Sequence, residues 1–360
     1  MNPHLVVYIS HHGYGHGAQT TSVLNALVEQ MPQLKVTVVS GLPVDFLRSR
    51  LRMPFALRPN AFDFGLAMDS VFDVKAEESL SRYRALHANW RQRIDEEAAV
   101  LRALRPDAVL SNVAYLPLAA AKRAGISCAG MSSLNWADIF AHYFPDKTNA
   151  SILDQMQESY AGASVFVQLT PSMPMTWLAN RRAVDPVASL GRDRGDEIRR
   201  LLGLSTTTRL VLATFGGIET AFNLDHWPRR ADVFWLLPAV WAPHRDDMVA
   251  FESVGIPFID LMRSSSAVLS KLGYGIVSEC ACNGVPLMFC ERGDWPEEPY
   301  LQEWLRKNGR ACLVPRAELA SPHLLSALDQ LLGQHPPVSP PHPDGAPQAA
   351  SLVRELLESY

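Results

Sequence analysis

The sequence has few cysteines, and they do not form the pattern of a disulfide-stabilised secreted protein. It contains five in 360 residues, an odd number, and they lie in apolar or small-residue runs. Secreted proteins pair their cysteines, whereas cytosolic proteins keep them reduced. Cys280 and Cys282 are spaced too closely for a zinc knuckle. We therefore expect a reduced, cytoplasmic protein without a metal site.

Long apolar runs and basic clusters are also missing. No run reaches the length of about 18 apolar residues that a membrane span needs, and MNPHLVVYIS at the N-terminus does not have the pattern of a signal peptide. With 33 basic and 37 acidic residues, the formal net charge is −4, which argues against non-specific binding to nucleic acid. We expect no transmembrane segment and no nucleic-acid partner, and the oligomeric state stays open.

The chain does have an alternation of short apolar runs and helical patterns in both halves. This alternation predicts parallel strands joined by helices, and 360 residues correspond to about two domains. We predict an α/β protein with domains at residues 1–180 and 197–345, a charged linker at 181–196 and an amphipathic helix at 346–360. The predicted strands are residues 5–10, 36–40, 107–111, 127–131 and 165–169, then 209–214, 233–237, 258–260, 267–272 and 287–290.

The segment KLGYGIVSECACNGVPLMFCERGDWPEEPY, residues 271–300, has the order of a phosphate-binding site. Gly273 and Gly275 form a turn that opens a helix, where free N–H groups and the helix dipole attract phosphate oxygens. Glu279 follows about one turn later and can accept sugar hydroxyls. An apolar strand and an acidic loop come next, at the edge where open α/β sheets bind ligands. Taken singly, each feature also fits a surface helix and an ordinary turn.

This order of motifs resembles the donor site of the GT-B glycosyltransferases, the superfamily of the peptidoglycan GlcNAc transferase and the plant and macrolide UDP-glycosyltransferases. KLGYGIVSE and EEP are most similar to the glycosyltransferase-like N-terminal half of plant L-arabinokinases, and no kinase half follows here. The resemblance implies two Rossmann-like, doubly wound domains that face across a cleft, with a last helix that crosses back to the first domain. It also implies that Glu279 binds the ribose and that Glu297 and Glu298 bind the donor sugar.

Other donor contacts are expected beside this segment. A second glycine-rich turn, Phe215 to Gly217, follows the first strand of the second half, although such a turn alone is weak evidence. Arg263 and Lys271 are the nearest cations for a diphosphate, and each also fits a solvated surface charge. Trp241 either packs on the base or belongs to the core. The residues that we assign to donor binding are Phe215, Gly216, Gly217, Arg263, Gly273, Tyr274, Gly275, Ser278, Glu279, Glu297 and Glu298.

HHGYGHG, residues 11–17, is the second informative stretch and follows the first strand. The resemblance places there the histidine that deprotonates the acceptor hydroxyl in natural-product transferases, and we assign this role to His16. A neutral imidazole with a pKa of about 6.5 suits the task. The structural alternative is a histidine that caps the turn. His12 and Tyr14 of the same stretch are candidate acceptor contacts.

The sequence departs from the superfamily pattern at Asn112. Many of these enzymes have an aspartate there that orients the histidine; an asparagine can hold the imidazole by a hydrogen bond but cannot stabilise the imidazolium by charge. Asp138, in NWADIF, is a substitute candidate for the base, or the one solvated residue of an aromatic core helix. We assign Asn112 and Trp136 to acceptor binding. Residues 55–74, rich in Asp and Phe, have the composition of a loop over a site.

The sequence therefore predicts a metal-independent, inverting glycosyltransferase for hexosyl or pentosyl transfer. It would need no cofactor, would use a nucleotide-diphosphate sugar, with UDP-sugars favoured, and would transfer it to an unknown acceptor. Two alternatives stay open. One is a nucleotide-sugar 2-epimerase, for which Glu297 and Glu298 could transfer protons. The other is a non-catalytic nucleotide-sugar-binding protein, which the Asn112 departure supports.

Overall fold

The polypeptide forms two units. The computed structural model describes residues 2–70, 73–216 and 223–358. One unit contains Met1–Asp69, Val74–Val187 and Asp344–Tyr360, and the other contains Ser70–Asp73 and Ala188–Pro343. The second unit is thus mainly one continuous segment, placed in the sequence between two parts of the first.

The first unit is built on a parallel sheet, which has seven strands within the described residues, in the order β3-β2-β1-β4-β5-β6-β7. All residues of the neighbouring strands β1 and β4 are buried, as expected for central strands of a parallel sheet, which are covered on both faces. The strands are β1 (His4–Ile9), β2 (Lys35–Ser40), β3 (Ala56–Pro59), β4 (Ala108–Asn112), β5 (Ser127–Ser132), β6 (Val165–Leu169) and β7 (Arg181–Val184).

The first helix begins earlier than its sequence pattern indicates. We predicted residues 11–17 as a turn, but the helix starts at Tyr14. Gly17 is therefore helical, and a Cβ on it would lie 2.6 Å from the Phe46 ring, so close packing selects glycine here. The helices of this part of the chain are α1 (Tyr14–Gln30), α2 (Val44–Arg50), α3 (Ala76–Ala88), α4 (Trp90–Leu104), α5 (Leu116–Ala124), α6 (Trp136–Tyr143) and α7 (Ala150–Ala161), with a 3-10 turn at Lys147–Asn149.

The second unit has a parallel sheet of six strands, counted over the described part of the chain, in the order β10-β9-β8-β11-β12-β13. Successive residues of its central strand alternate between two hydrophobic clusters: Val211 belongs to one, and Leu210 and Leu212 to the other. The sheet therefore has a core on each face. Its strands are β8 (Arg209–Ala213), β9 (Val233–Leu237), β10 (Met248–Ala250), β11 (Ala267–Lys271), β12 (Leu287–Cys290) and β13 (Ala311–Leu313).

Two sequence assignments in this part of the chain are corrected. Residues 258–260, predicted as a strand, open a helix, because Pro257 takes the N-cap position and buried Leu261 and Met262 continue the helix. Arg181–Val184, assigned to the linker, pair with β6 as β7. The helices are α8 (Gly195–Leu201), α9 (Phe258–Ser264), α10 (Tyr274–Cys282), α11 (Glu298–Asn308) and α12 (His323–Leu332), with 3-10 turns at Leu224–His226, Ala239–Trp241, Phe251–Val254 and Arg316–Glu318.

The last helix, α13 (Gly345–Glu358), packs on α1 within the first unit. Gln348 fixes its start, since its amide accepts from the Asp185 N–H at 2.8 Å and donates to the Asp185 carboxylate at 2.6 Å. Val353 is completely buried on this helix. No helix in the described ranges is both long and apolar enough to span a bilayer.

Both sheets reverse their strand order beside their first strand. In the first unit β1 lies between β2 and β4, and in the second unit β8 lies between β9 and β11. Open α/β sheets bind ligands at the carboxyl ends of the strands at such a switch point. The turns after β1 and β4, and those after β8 and β11, are therefore the places where the fold favours binding.

Candidate functional site

The turn between β11 and α10 presents backbone N–H groups at a helix start. Gly273 occupies the N-cap position with extended backbone, φ −159°, and has no side chain to satisfy the N–H groups of the first turn. The space beside Gly275 is open, because a Cβ there would meet nothing within 4 Å. Uncapped N–H groups at a helix N-terminus, together with the helix dipole, suit an anion.

A second turn lies beside this one, after β8, because β8 pairs with β11. Gly216 has φ +83° there, a left-handed conformation that favours glycine. Gly217 falls outside the described residues. Phe215 was predicted as a donor contact, but its side chain is buried in the core beside Trp241, with ring centroids 5.7 Å apart. Trp241 is likewise a core residue and not an exposed platform for a base.

Lys271, the last residue of β11, places an amine over both turns. A Cβ on Gly273 would lie 3.8 Å from Lys271 Nζ, and a Cβ on Gly216 would lie 3.6 Å from Lys271 Cε. Burial, with a smaller contribution from the charge of Arg292, lowers the pKa of Lys271 to about 7, against the opposing effect of Glu297 and Glu298. A cation, a helix N-terminus and a glycine turn thus meet at one sheet edge.

Arg263, the cation that we assigned to this site, lies at the amino ends of the strands, opposite the glycine turn. It is an exposed residue in the last turn of α9, the helix that leads into the amino end of β11. The length of β11, roughly 3.3 Å per residue, separates it from the glycine turn. The prediction for Arg263 is therefore wrong, because Arg263 precedes β11 and the glycine turn follows it.

The predicted contacts inside α10 have different surroundings. Glu279 is half-buried in the second turn of the helix, so part of its side chain is accessible. Tyr274 is buried at the helix start. Ser278 is completely buried, and its hydroxyl donates back to the carbonyls of Tyr274 and Gly275 at 2.9 and 3.2 Å. Ser278 thus serves the helix itself, and we no longer assign it to donor binding.

The acidic pair after β12 stabilises its own loop. Both Glu297 and Glu298 are buried. Glu298 accepts from the Arg292 backbone N–H at 2.9 Å and from the Gln302 amide at 3.3 Å, and burial raises its pKa. Glu297 accepts from the Trp295 indole at 3.3 Å. The Arg292 guanidinium stacks on that indole, 3.9 Å from the ring centroid, so sequence reasoning missed a second cation near Lys271.

In the first unit, His16 lies in the first turn of α1 and contacts Asn112 at the end of β4. Their side chains meet at 2.9 Å between Nδ1 and Oδ1, and both residues are buried. The strands fix this contact, because Ile9 pairs with Asn112 across β1 and β4. The predicted hydrogen bond between this asparagine and the imidazole is therefore present, although a completely buried Asn112 does not face an acceptor as we assigned.

The surrounding hydrogen bonds set the tautomer of His16. The Thr20 hydroxyl donates to the His16 carbonyl at 2.7 Å, so its oxygen accepts from the Asn112 amide nitrogen at 3.0 Å. That nitrogen also faces the His16 carbonyl at 3.3 Å, which can only accept. Asn112 Oδ1 is thus the acceptor for His16, Nδ1 carries the proton, and Nε2 keeps a lone pair for a base.

Burial without a counter-charge makes this imidazole a weak base. It lowers the pKa of His16 to about 4, and the hydrogen bond that His16 donates to Asn112 opposes this shift. The histidine is therefore neutral at cellular pH, as a proton acceptor must be. An asparagine gives the imidazolium no compensating charge.

A buried tryptophan packs against both histidines of this stretch. Trp136 packs edge-on against His12 and His16, with ring centroids 5.3 and 6.1 Å away. Its indole donates to the Asp63 carboxylate at 2.7 Å. Gly65 passes so close that a Cβ would lie 2.6 Å from His12 and 2.7 Å from Trp136. Trp136 is completely buried. It therefore supports the two histidines by packing and does not present a surface to an acceptor.

Asp63 is the residue of this group that sequence reasoning did not single out. It is buried, and burial raises its pKa against the effect of hydrogen bonds from Trp136 and Ser10. The Asp- and Phe-rich composition of residues 55–74 was the only signal for it. Next to it, the Phe64 carbonyl accepts from His12 Nδ1 at 3.1 Å, so His12 carries its proton on Nδ1, as His16 does.

Asp138 and Tyr14 stand outside this group. The Asp138 carboxylate accepts from the Trp177 indole and from the Asn135 amide, each at 2.7 Å, and Asn135 caps α6 through the Asp138 N–H. Its two oxygens thus stabilise the start of a helix, which favours the structural alternative. Tyr14 is 43% exposed and packs on Phe46, with ring centroids 4.7 Å apart.

Two known proteins resemble the chain in sequence, over 84% and 45% of its length. L-arabinokinase of Arabidopsis thaliana is 29% identical over 324 residues, 84% of this chain and 30% of the kinase. A Methanopyrus kandleri protein described as an uncharacterized glycosyltransferase is 24% identical over 178 residues, 45% of this chain and 50% of that protein. The chain thus spans a third to a half of these relatives. No protein-family model matches it.

Solved structures share the architecture. The kitacinnamycin glycosyltransferase superposes with a TM-score of 0.65 at 13% identity, over 100% of this chain and 96% of that one. A Listeria monocytogenes protein described as a UDP-N-acetylglucosamine 2-epimerase gives 0.57 at 15% identity, over 99% and 96%. With seven and six parallel strands in its described sheets, the chain therefore has the GT-B fold of the glycosyltransferases, two Rossmann-like units in one polypeptide.

Proposed function

We propose that the protein is a glycosyltransferase that takes a sugar from a nucleotide-diphosphate donor, bound by the second unit. The observation that carries this proposal is the meeting of Lys271, the uncapped start of α10 and the Gly216 turn at one sheet edge. These groups offer a charge and backbone donors to the two phosphates. Glu279 then binds the ribose hydroxyls from the next helical turn.

The proposed transfer is a single displacement with inversion. His16 Nε2 accepts the proton of the acceptor hydroxyl, the acceptor oxygen bonds to the anomeric carbon, and the bond to the diphosphate breaks with its electron pair. A base with a pKa of about 4 takes the proton late, once the forming bond has made the hydroxyl acidic. The leaving diphosphate is stabilised by Lys271 and the α10 N–H groups, so the proposal needs no metal.

Binding measurements test the donor site. Isothermal calorimetry and thermal shift with UDP, dTDP and GDP and their glucose conjugates, with and without EDTA, should show one preferred base, for which we favour uracil. Binding should survive EDTA and weaken at least tenfold in Glu279→Ala. Glu303→Gln, an exposed carboxylate on α11 paired with Lys307, is the matched control and should bind normally. The donor-site proposal fails if no nucleotide binds the native protein.

Turnover measurements test the base. With the preferred donor and a panel of sugar and aglycone acceptors, His16→Ala should lower kcat by about 10²–10⁴-fold, the usual contribution of a general base, while donor Kd stays unchanged. NMR of the product should show an inverted anomeric configuration. Full activity of the variant would reduce His16 to a structural residue. Donor binding without turnover on any acceptor would favour a non-catalytic binding protein.

The likeness to a 2-epimerase fold gives a second candidate function. Epimerisation at C2 moves protons on the donor sugar itself and needs no acceptor. The buried pair Glu297 and Glu298, with the pKa of Glu298 raised by burial, could serve such a step. Incubation of UDP-GlcNAc with the protein alone separates the two functions, because only an epimerase converts the sugar when no acceptor is present.

A further inference from the structure

We propose that a small polar cavity in the first unit binds one neutral sugar ring of the acceptor, and that the Glu97 carboxylate accepts hydrogen bonds from its hydroxyls. This inference rests on the proposed transfer reaction and names the chemical class of the second substrate. It starts from a cavity that lies outside the group around His16 and that the proposed mechanism does not use.

The cavity has a volume of about 190 Å³. Sites for drug-sized ligands are larger, roughly 300–1,000 Å³, so this cavity fits a small molecule or a single ring of a larger one. The segment directly after β3 forms one wall, and the first residue of α5, which follows β4, forms another. The cavity therefore lies at the carboxyl ends of the strands, where the fold favours binding. The lining residues that matter here are Asn60, Phe62, Leu86, Arg93, Glu97 and Leu116.

Glu97, on α4, contributes a buried carboxylate to the cavity wall. The residue is only 6% exposed, and its Oε1 accepts the Tyr8 hydroxyl. No hydrogen bond within the described ranges uses its other oxygen, Oε2. A buried polar atom without a partner is costly, so a ligand hydroxyl that donates to Oε2 would be bound favourably.

The surroundings of Glu97 favour its charged form. Tyr8 pairs with Val39, and Val39 pairs with Arg58, so the side chains of Tyr8 and Arg58 lie on the same face of the sheet. Burial raises the pKa of Glu97, and the Tyr8 hydrogen bond and the charge of Arg58 oppose this rise. Glu97 thus has a hydroxyl donor and a cation on its side of the sheet, both of which stabilise a carboxylate that accepts hydrogen bonds.

The remaining walls favour a sugar over an anion or an apolar aglycone. Arg93 is exposed, and its guanidinium forms no ion pair within the described part of the chain. Sugar hydroxyls can donate to Glu97 and also accept from Arg93. An anion can only accept, and it would place its charge beside Glu96 and Glu97. An apolar ring would leave these polar groups unpaired. The apolar face of a sugar can pack against Phe62, Leu86 and Leu116.

The segment after β3 connects this cavity to the proposed base. Phe62 lines the cavity and packs edge-on against Tyr8, with ring centroids 5.2 Å apart. The next residue, Asp63, accepts from the Trp136 indole, and Trp136 packs against His16. Consecutive residues thus belong to the cavity and to the group around His16, which is why we assign the sugar ring to the acceptor.

Saturation-transfer difference NMR tests the binding directly. The probes are the methyl glycosides of glucose, galactose and arabinose, together with myo-inositol, and each is measured with and without saturating UDP. Acetate and phosphate test an anion site, and phenol tests an apolar one. At least one sugar should bind the native protein whether or not the nucleotide is present, and more tightly than the anions or phenol.

Two variants assign that binding to the cavity. Glu97→Gln replaces an acceptor by a donor and should weaken the sugar at least tenfold. Arg93→Gln changes an exposed side chain and should weaken it severalfold, so it still decides if Glu97→Gln fails to fold. Arg91→Gln, on an exposed arginine of the same helix outside the cavity lining, should bind as the native protein does. With an active acceptor, Glu97→Gln should raise the acceptor KM while donor Kd stays unchanged.

The outcomes separate this inference from the proposed donor site. The inference fails if no sugar binds, if an anion or phenol binds better, or if sugar binding and acceptor KM are unchanged in the folded variants. None of these results affects nucleotide binding to the second unit. Absence of nucleotide binding would instead remove the donor site, and the sugar measurements without UDP would still decide whether the cavity binds a sugar.

Discussion

At the scale of single residues, Asn112 orients His16 as an aspartate does in a histidine–carboxylate pair, but it does not supply the negative charge of an aspartate. It accepts from His16 Nδ1 and so leaves Nε2 unprotonated. Its amide nitrogen also donates to Gln19 and Thr20, which a carboxylate could not do. Orientation is thus retained without charge, and the pKa of His16 stays low.

This buried histidine should make the protein less stable in acid. The pKa of His16 is about 4 in the folded protein and about 6.5 when unfolded. Between these values the unfolded chain binds more protons, so the contribution is complete above pH 6.5 and is lost as the pH falls through 4. The loss is about 1.4 kcal/mol per pH unit, or about 3 kcal/mol in total.

Urea unfolding at pH 7 and pH 4.5 measures that loss. His16→Asn removes the titrating group, so its free energy of unfolding should change less between the two conditions than that of the native protein. His323→Asn, on an exposed histidine of α12, should keep the native difference. Equal pH dependence in native protein and His16→Asn would show that other groups cause the acid sensitivity.

The residues of the candidate site could be proposed from the sequence only as far as they belong to a local motif. The β–turn–helix runs indicated His16, Gly273 and Glu279, because such runs position their residues without help from the rest of the chain. Arg263 was wrong and Asp63 was missed. Their positions depend on the end of the strands at which a residue lies and on the distant side chains that it contacts. A local sequence pattern does not determine either of these.

At the scale of elements, the packing of α1 on α2 depends on a glycine. A Cβ on Gly17 would lie 2.6 Å from the Phe46 ring and 2.8 Å from Leu42. Gly15, one half-turn earlier in the same helix, has open space where its Cβ would lie. The two positions therefore form a matched pair.

Alanine at these two glycines should change stability in opposite directions. Gly17→Ala should lower the free energy of unfolding by about 1–3 kcal/mol through overpacking. Gly15→Ala should raise it by up to about 1 kcal/mol, because alanine favours the helix. Urea unfolding of the two variants checks this prediction. An equal effect of both substitutions would mean that the α1–α2 contact accommodates the added methyl group without loss of stability.

The elements themselves were largely predictable. Continuous apolar runs gave strands such as β8 and β12 because a parallel sheet buries both faces. The exceptions were short segments. Residues 258–260 have strand composition, but Pro257 and the buried residues after them make a helix. Arg181–Val184 have the charged composition of a linker, and they form β7 through pairing with β6.

At the scale of the whole molecule, α13 should support the first unit and not the second. Val353→Asp places a carboxylate in its buried contact and should cost several kcal/mol. Hydrogen exchange followed by mass spectrometry should show lost protection in α1 and β1, with α10 and β11 unchanged. Glu358→Gln, which breaks an exposed pair with Arg354, is the control. Loss of protection in both units would show that they unfold together.

The placement of α13 also sets an order of maturation during synthesis. The ribosome makes α1 early, but the helix that covers it emerges only after residues 188–343, which contain the whole second sheet. The second unit can therefore finish folding while the apolar side of α1 is still uncovered. α1, the helix that carries His16, is therefore covered by α13 only after the second sheet has been synthesised.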